Sequence, residues 1–221
     1  MSQTIEHIVL FKIKDSTDPS NITSMITDLN SLSSLDQVLH LSAGPILRNK
    51  SSNFKFTHLL HSRYKSKSDL GSYSAHPDHQ SVVKQKVLPI CEDIMAVDWV
   101  SEDLEGEMRV KPGAALRVSL VKLKEGFGES EKGEILGMIG GIKGKFGLID
   151  QISFGENFSP ARAKGFSIAS IAVFPGLSEL NALDENVEVV EEQKEKVRGL
   201  LESVIVVDYV IPTLSSQSAN L

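Results

Sequence analysis

Displaced by 110 residues, the sequence lines up with itself almost end to end, and no other feature restricts the fold so strongly. His7-Ile8-Val9-Leu10-Phe11-Lys12-Ile13-Lys14 falls on Arg117-Val118-Ser119-Leu120-Val121-Lys122-Leu123-Lys124. Met25, Leu29 and Leu32 fall on Ile135, Ile139 and Ile142, Phe56 on Phe166, and Leu70 on Leu180. Val97-Asp98-Trp99-Val100 falls on Val207-Asp208-Tyr209-Val210. The register slips only around Gly44 and Gly155, by one residue, a loop-sized adjustment. The 221 residues therefore divide into two homologous domains, each near the usual domain size. Their expected limits are 1–100 and 114–212, with a polar linker at 101–113 ending in Pro112-Gly113 and a tail at 213–221.

Within each copy the periodicities agree. Residues 5–14 alternate, placing Ile5, His7, Val9, Phe11 and Ile13 on one strand face. Asp18 before Pro19 marks a helix start, followed by the apolar stripe Ile22, Met25, Ile26, Leu29 and Leu32. Residues 38–43 read as a second strand, and 54–64 as a third with Phe54, Phe56, His58, Leu60 and Tyr64 on one face. Ser68 is placed to cap a short helix through Tyr73. Pro77 opens another, with His79, Val83, Val87 and Ile90 sharing a face, and Pro89 ends it. Ile94 to Val100 is the last strand. Each copy thus runs β-α-β-β-α-β, so the fold class is α+β with two tandem ferredoxin-like domains. The strands are apolar on both faces, and two such sheets bury that surface by packing face to face as a dimeric α+β barrel. A tandem repeat supplies both sheets, giving an intrachain pseudo-dimer; pairing with a second copy, a homodimer, is the alternative.

With 23 basic against 29 acidic residues and a net charge of -6, the composition argues against nucleic acid as a partner. No apolar run approaches the roughly 20 residues of a membrane-spanning helix, so no membrane association is expected. The single Cys91 excludes an intramolecular disulfide and a cysteine-cluster metal site. No secretory signal is apparent at the amino terminus. The chain ends Ala219-Asn220-Leu221, which resembles variants of the Ser-Lys-Leu peroxisomal address, so a peroxisomal location is expected, with the cytosol as the alternative.

Residues 1–100 carry ten basic and ten acidic residues, so the whole net charge lies in the second part. All six histidines, at 7, 40, 58, 61, 76 and 79, lie in the first repeat. Periodicity sets His7, His58 and His79 on apolar faces, with Tyr73 on the preceding helix. One such histidine is ordinarily a satisfied core residue; three converging with a tyrosine point to a polar cavity. A neutral imidazole, with an ordinary pKa near ~6.5, accepts a proton at physiological pH. The second repeat has Arg117, Ile168, Leu183 and Val189 at the four equivalent positions, so the chain holds at most one such site. A three-histidine metal centre would need carboxylates behind the imidazoles, which the sequence does not reveal. Gly137, Gly140, Gly141, Gly144 and Gly147 weaken the first helix of the second repeat and leave close packing or mobility as readings.

The opening His7-Ile8-Val9-Leu10-Phe11-Lys12, the strand Phe56-Thr57-His58, the segment Tyr73-Ser74-Ala75-His76-Pro77-Asp78-His79 and the closing Val97-Asp98-Trp99 resemble the stress-response A/B barrel domain of plants and bacteria. The resemblance spans residues 5–100 and 115–210 and is most similar to plant proteins with two such domains. It implies the barrel and its dimer-like pairing. One branch resembles a polyketide cyclase in which a histidine is the base and a tyrosine steers an intramolecular aldol condensation. This implies His79 as general base and Tyr73 as orienting donor, with His7 and His58 lining the cavity. Single-domain relatives also imply a cation, such as a structural magnesium ion, held by the backbone carbonyls of about Leu32, Leu35 and Val38; no cofactor is required. The expected function is that of a stress-response-associated protein binding a small apolar molecule in the first-repeat cavity through His7, His58, Tyr73 and His79. A polyketide-cyclase-like lyase is the alternative.

Overall fold

The computed structural model describes residues 3–51 and 53–213. The first repeat runs β1 (Gln3–Ile13), α1 (Pro19–Ser31), β2 (His40–Pro45), β3 (Arg48–Asn49), β4 (His58–Tyr64), α2 (Lys67–Ala75), α3 (Pro77–Val82) and β5 (Cys91–Glu102). The second runs β6 (Ala115–Leu123), α4 (Glu129–Gly140), α5 (Ile142–Lys145), β7 (Gln151–Glu156), β8 (Ile168–Phe174), α6 (Leu177–Glu185), α7 (Val187–Arg198) and β9 (Leu201–Val210). The expected α+β, ferredoxin-like order is present twice. One sheet has the order β2-β4-β1-β5 and the other β3-β9-β6-β8-β7.

Local chemistry explains the helix starts. Asp18 accepts a hydrogen bond from Ser20 N, and Pro19 occupies the first turn of α1, where its missing N–H costs nothing. The cap of α2 is Ser66 rather than Ser68: its hydroxyl accepts from Asp69 N, and Ser68 lies inside the helix. His76 caps α3 through its ring nitrogen, which accepts from Asp78 N. The third strand starts at His58, four residues later than the alternation from Phe54 suggests, because residues 54–57 turn away into a loop.

Each strand splits its residues between two cores, as two-sided apolar strands require. Ile8, Leu10, Leu59, Val97 and Trp99 of the first sheet meet Val118, Leu120, Ile171, Val207 and Tyr209 of the second inside a barrel. On the outside, Ile5, Phe11, Leu60 and Tyr64 pack under Met25, Leu29, Leu70 and Tyr73 of the helices. The second repeat covers its own outer face in the same way, through Ile135, Ile139, Leu180 and Leu183.

The barrel closes by exchange between repeats. Strand β3, from the first repeat, pairs with β9 through Arg48↔Asp208 and Asn49↔Val207. At the other seam Trp99 bridges Asn157, and Phe158 N donates to Asp98 O at 2.9 Å. Gly155 makes this seam possible, since an added Cβ would lie 2.7 Å from Val100 O. The pseudo-dimer is thus contained in one chain. Among the helical glycines, Gly140 abuts Phe154, 2.8 Å from where a Cβ would stand, whereas Gly137 and Gly144 meet nothing.

Candidate functional site

β1 sets His7 directly opposite Asp98 of β5 and Ser62 of β4, all on the helix-covered face. The His7 Nδ1–H donates to Asp98 Oδ1 in a short, buried bond. Burial alone would raise the Asp98 carboxyl, but hydrogen bonds from His7 and Ser159 hold it below the ordinary range. Tyr64, two residues along β4, shares a hydrogen bond of 2.9 Å with Ser62. Its ring lies 6.4 Å from His7 and 5.2 Å from Tyr73 of α2, and the Tyr73 ring lies 4.6 Å from His79 of α3. Burial raises both tyrosines above their ordinary range, so both hydroxyls keep their protons.

His79 is half-buried and forms the outer end of this row. Its Nδ1 lies 3.0 Å from the Ser74 carbonyl. A carbonyl only accepts, so Nδ1 carries the proton and the neutral ring keeps a lone pair on Nε2. Burial lowers the His79 pKa, holding that lone pair free at neutral pH. The second repeat contributes the cover: Phe158 packs into the first repeat's outer core, with Lys67 Nζ 4.2 Å over its ring. The row thus sets apolar walls beside one proton acceptor, His79 Nε2, at its outer end.

His7, Tyr73 and His79 come together as the sequence expects; His58 does not. It pairs with Phe11, four residues along β4 from Ser62 and thus roughly 13 Å along the strand, and its ring bonds Thr57 Oγ1 at 2.9 Å. Alternation set it on the same face as Tyr64 but could not say how far along that face. The carbonyls of Leu32, Leu35 and Val38 follow the turn after α1. Leu32 O accepts from Leu35 N and Leu35 O from Val38 N, leaving neutral, partly engaged donors. Among the described residues no group of three or more His, Cys, Asp or Glu could hold a metal ion. This turn is a poor fit to a magnesium ion, which favours carboxylates and water.

Comparison with known proteins decides the family. The sequence profile of the Stress responsive A/B Barrel Domain matches residues 5–101 and again 116–211. The chain belongs to that family. It is 58% identical over 220 residues to a stress-response A/B barrel domain-containing protein of Arabidopsis thaliana, covering 100% of this chain and 83% of that protein. It is 45% identical over 217 residues to a second such protein of the same plant, covering 97% and 100%. Among solved structures, a putative monooxygenase of Fusobacterium nucleatum superposes with a TM-score of 0.67 at 11% identity, covering 96% of this chain and 94% of that one. That likeness concerns the fold alone.

In the second A/B barrel domain the equivalent place is filled by ions. Arg117, at the His7 position, donates to Asp208, the Asp98 counterpart, at 2.8 Å and to Asp184 at 2.7 Å. Arg48 reaches Asp208 and Lys50 reaches Asp184 from the first repeat, 2.9 and 2.7 Å away. Periodicity does not single out Asp98; its retention as Asp208 in the repeat alignment is the signal that marks it. Nor does periodicity reveal a second cluster, inside the barrel. There the fully buried Glu6 accepts from Arg63 Nε at 3.0 Å and from His61 Nε2 at 2.7 Å. Burial opposes ionisation of Glu6, but Arg63 and His61 bring its pKa down to about 2. The signal here was a glutamate within a strand apolar on both faces.

Proposed function

We propose that this A/B barrel protein binds a small, largely apolar molecule between the sheet and helices of its first repeat, with Tyr73 and His79 touching the ligand. The row His7–Tyr64–Tyr73–His79, present in one repeat and replaced by an Arg117–Asp208–Asp184 ion network in the other, carries this reading. Leu70, Val87 and the partly buried Val82 and Ile90 supply apolar walls. A thermal-shift series with aromatic polyketides tests it. The wild type is expected to melt higher with a ligand, and His79→Val to melt the same with or without it while keeping its fold. Unchanged shifts in His79→Val leave the histidine as core packing only.

The free Nε2 of His79 favours a second reading, a polyketide-cyclase-like lyase. In it His79 removes a proton next to a carbonyl and the Tyr73 hydroxyl donates to the oxygen of the resulting enolate. A positioned base of this kind contributes roughly 10²–10⁴-fold. Turnover that disappears in His79→Ala and Tyr73→Phe supports catalysis; ligand shifts without turnover support binding alone. Peroxisomal import is proposed on Ala219-Asn220-Leu221, which lies outside the described residues; a fluorescent protein ending in Gln217–Leu221 becomes punctate if the signal is read, and stays diffuse if it is not.

A further inference from the structure

The barrel's second seam does not close along its whole length. Below Leu47, β3 joins β9, but above it the free edge of β2 and the end of β9 diverge around a cleft of about 840 Å³. Ile26, Ala43, Ile46 and Ile211 wall it, and Leu47, 48% exposed, stands at its lip. A smaller chamber of about 270 Å³ continues it, sharing Asn30, Ile211 and Pro212. This chamber is polar: Ser33, His40, Ser42 and Arg109 line it.

An open strand edge ordinarily invites another strand. Here the Asn30 side chain takes both hydrogen-bonding groups of Ala43, donating to its carbonyl and accepting from its N–H, each at 2.9 Å. Pro45, next on the same edge, has no N–H to offer. The cleft is therefore closed to backbone pairing and open to a molecule that needs only apolar contact along its length.

Its polar end carries the charge. Among the described residues Arg109 makes no ion pair or hydrogen bond, and no carboxylate of theirs lines either chamber. His40, 5% exposed, keeps an Nε2 with no partner. In a chain of net charge -6 this is an unpaired cationic and donor-rich end on an apolar trough. We propose that the cleft between α1 and the end of β9 binds an amphipathic carboxylate, with its flexible chain along Ile26, Ala43, Ile46 and Ile211 and its carboxylate at Arg109 and His40.

Calorimetric titration of the 221-residue chain with decanoate, decanol and decylamine, all below their micellar concentrations, tests this. Decanoate is expected to bind at least tenfold tighter than decanol, and decylamine more weakly than either. Arg109→Glu, an exposed change, should cost decanoate at least tenfold and leave decanol within about twofold. Thr27→Trp, which places a bulky ring on the exposed rim, should weaken both. His79→Val should leave decanoate binding unchanged, which separates this cleft from the row around Tyr73. Equal affinity for the three ligands, binding of none, indifference to both cleft variants, or loss of decanoate binding in His79→Val would each overturn the proposal.

Discussion

His40 lies beside His61, their rings 4.9 Å apart, and burial first, then the neighbouring His61 ring and the Arg63 guanidinium, drop its pKa to about 2. His61 and His79 are lowered as well, each first by burial. An unfolded chain binds protons at these rings below about pH 6.5, while the folded chain refuses them. Stability is thus fully present above that pH and declines as the solution becomes more acidic. Chemical denaturation at pH 7.5, 6.5 and 5.5 should show a falling midpoint, with a shallower fall in His40→Asn. A flat wild-type profile would contradict the depressed pKa values. Which histidines matter was only half legible at this scale. Spacing assigned faces, and the face of His7 was right, but Asp98, which fixes the His7 ring, is remote in sequence and comes beside it only through strand pairing.

At the scale of elements, the two seams and the ion network place the largest strains on substitution. Gly155→Ala puts a methyl group against Val100 O and the Trp99 ring, where β5 and the end of β7 approach. We expect a loss of about 1–3 kcal/mol, the range for overpacking a tight contact, measurable by urea denaturation. Gly144→Ala, which meets nothing, should instead be neutral or slightly stabilising, and a larger loss there would contradict the helix geometry. Arg117→Ala leaves Asp208, fully buried, with Arg48 as its remaining cation. Breaking a buried pair of this kind costs about 3 kcal/mol. A change below 1 kcal/mol would show that Arg48 alone suffices. The helix starts at Asp18 and Pro77 were legible because capping is local; the Ser66 cap was missed by two residues because several serines lie within one turn.

For the whole molecule, the two sheets bury each other's apolar faces. Residues 1–100 alone would expose Ile8, Leu10, Leu59, Met95, Val97 and Trp99, all buried inside the barrel. Such a patch exceeds what monomers ordinarily carry. The isolated first repeat should therefore self-associate in light scattering, and a stable monomer would mean that the sheet face tolerates water. The same fragment loses Phe158 and Ser159, so it should also respond less to any ligand of the Tyr73–His79 row.

The sequence by itself determined the repeat, the element order, the two-faced strands and hence the barrel, because each follows from local periodicity and from a pattern printed twice. It also determined that such a row can exist at most once, since the second repeat has Arg117, Ile168, Leu183 and Val189 at the equivalent positions. The tertiary structure decided what spans the repeats: β3 joining the far sheet, the 157–159 segment covering the first-repeat row, and Arg48 and Lys50 completing the second. It decided too that His58 stands apart and that Glu6, His61 and Arg63 meet inside the barrel. These contacts join residues far apart along the chain, and only the packing of one sheet on the other fixes their distances.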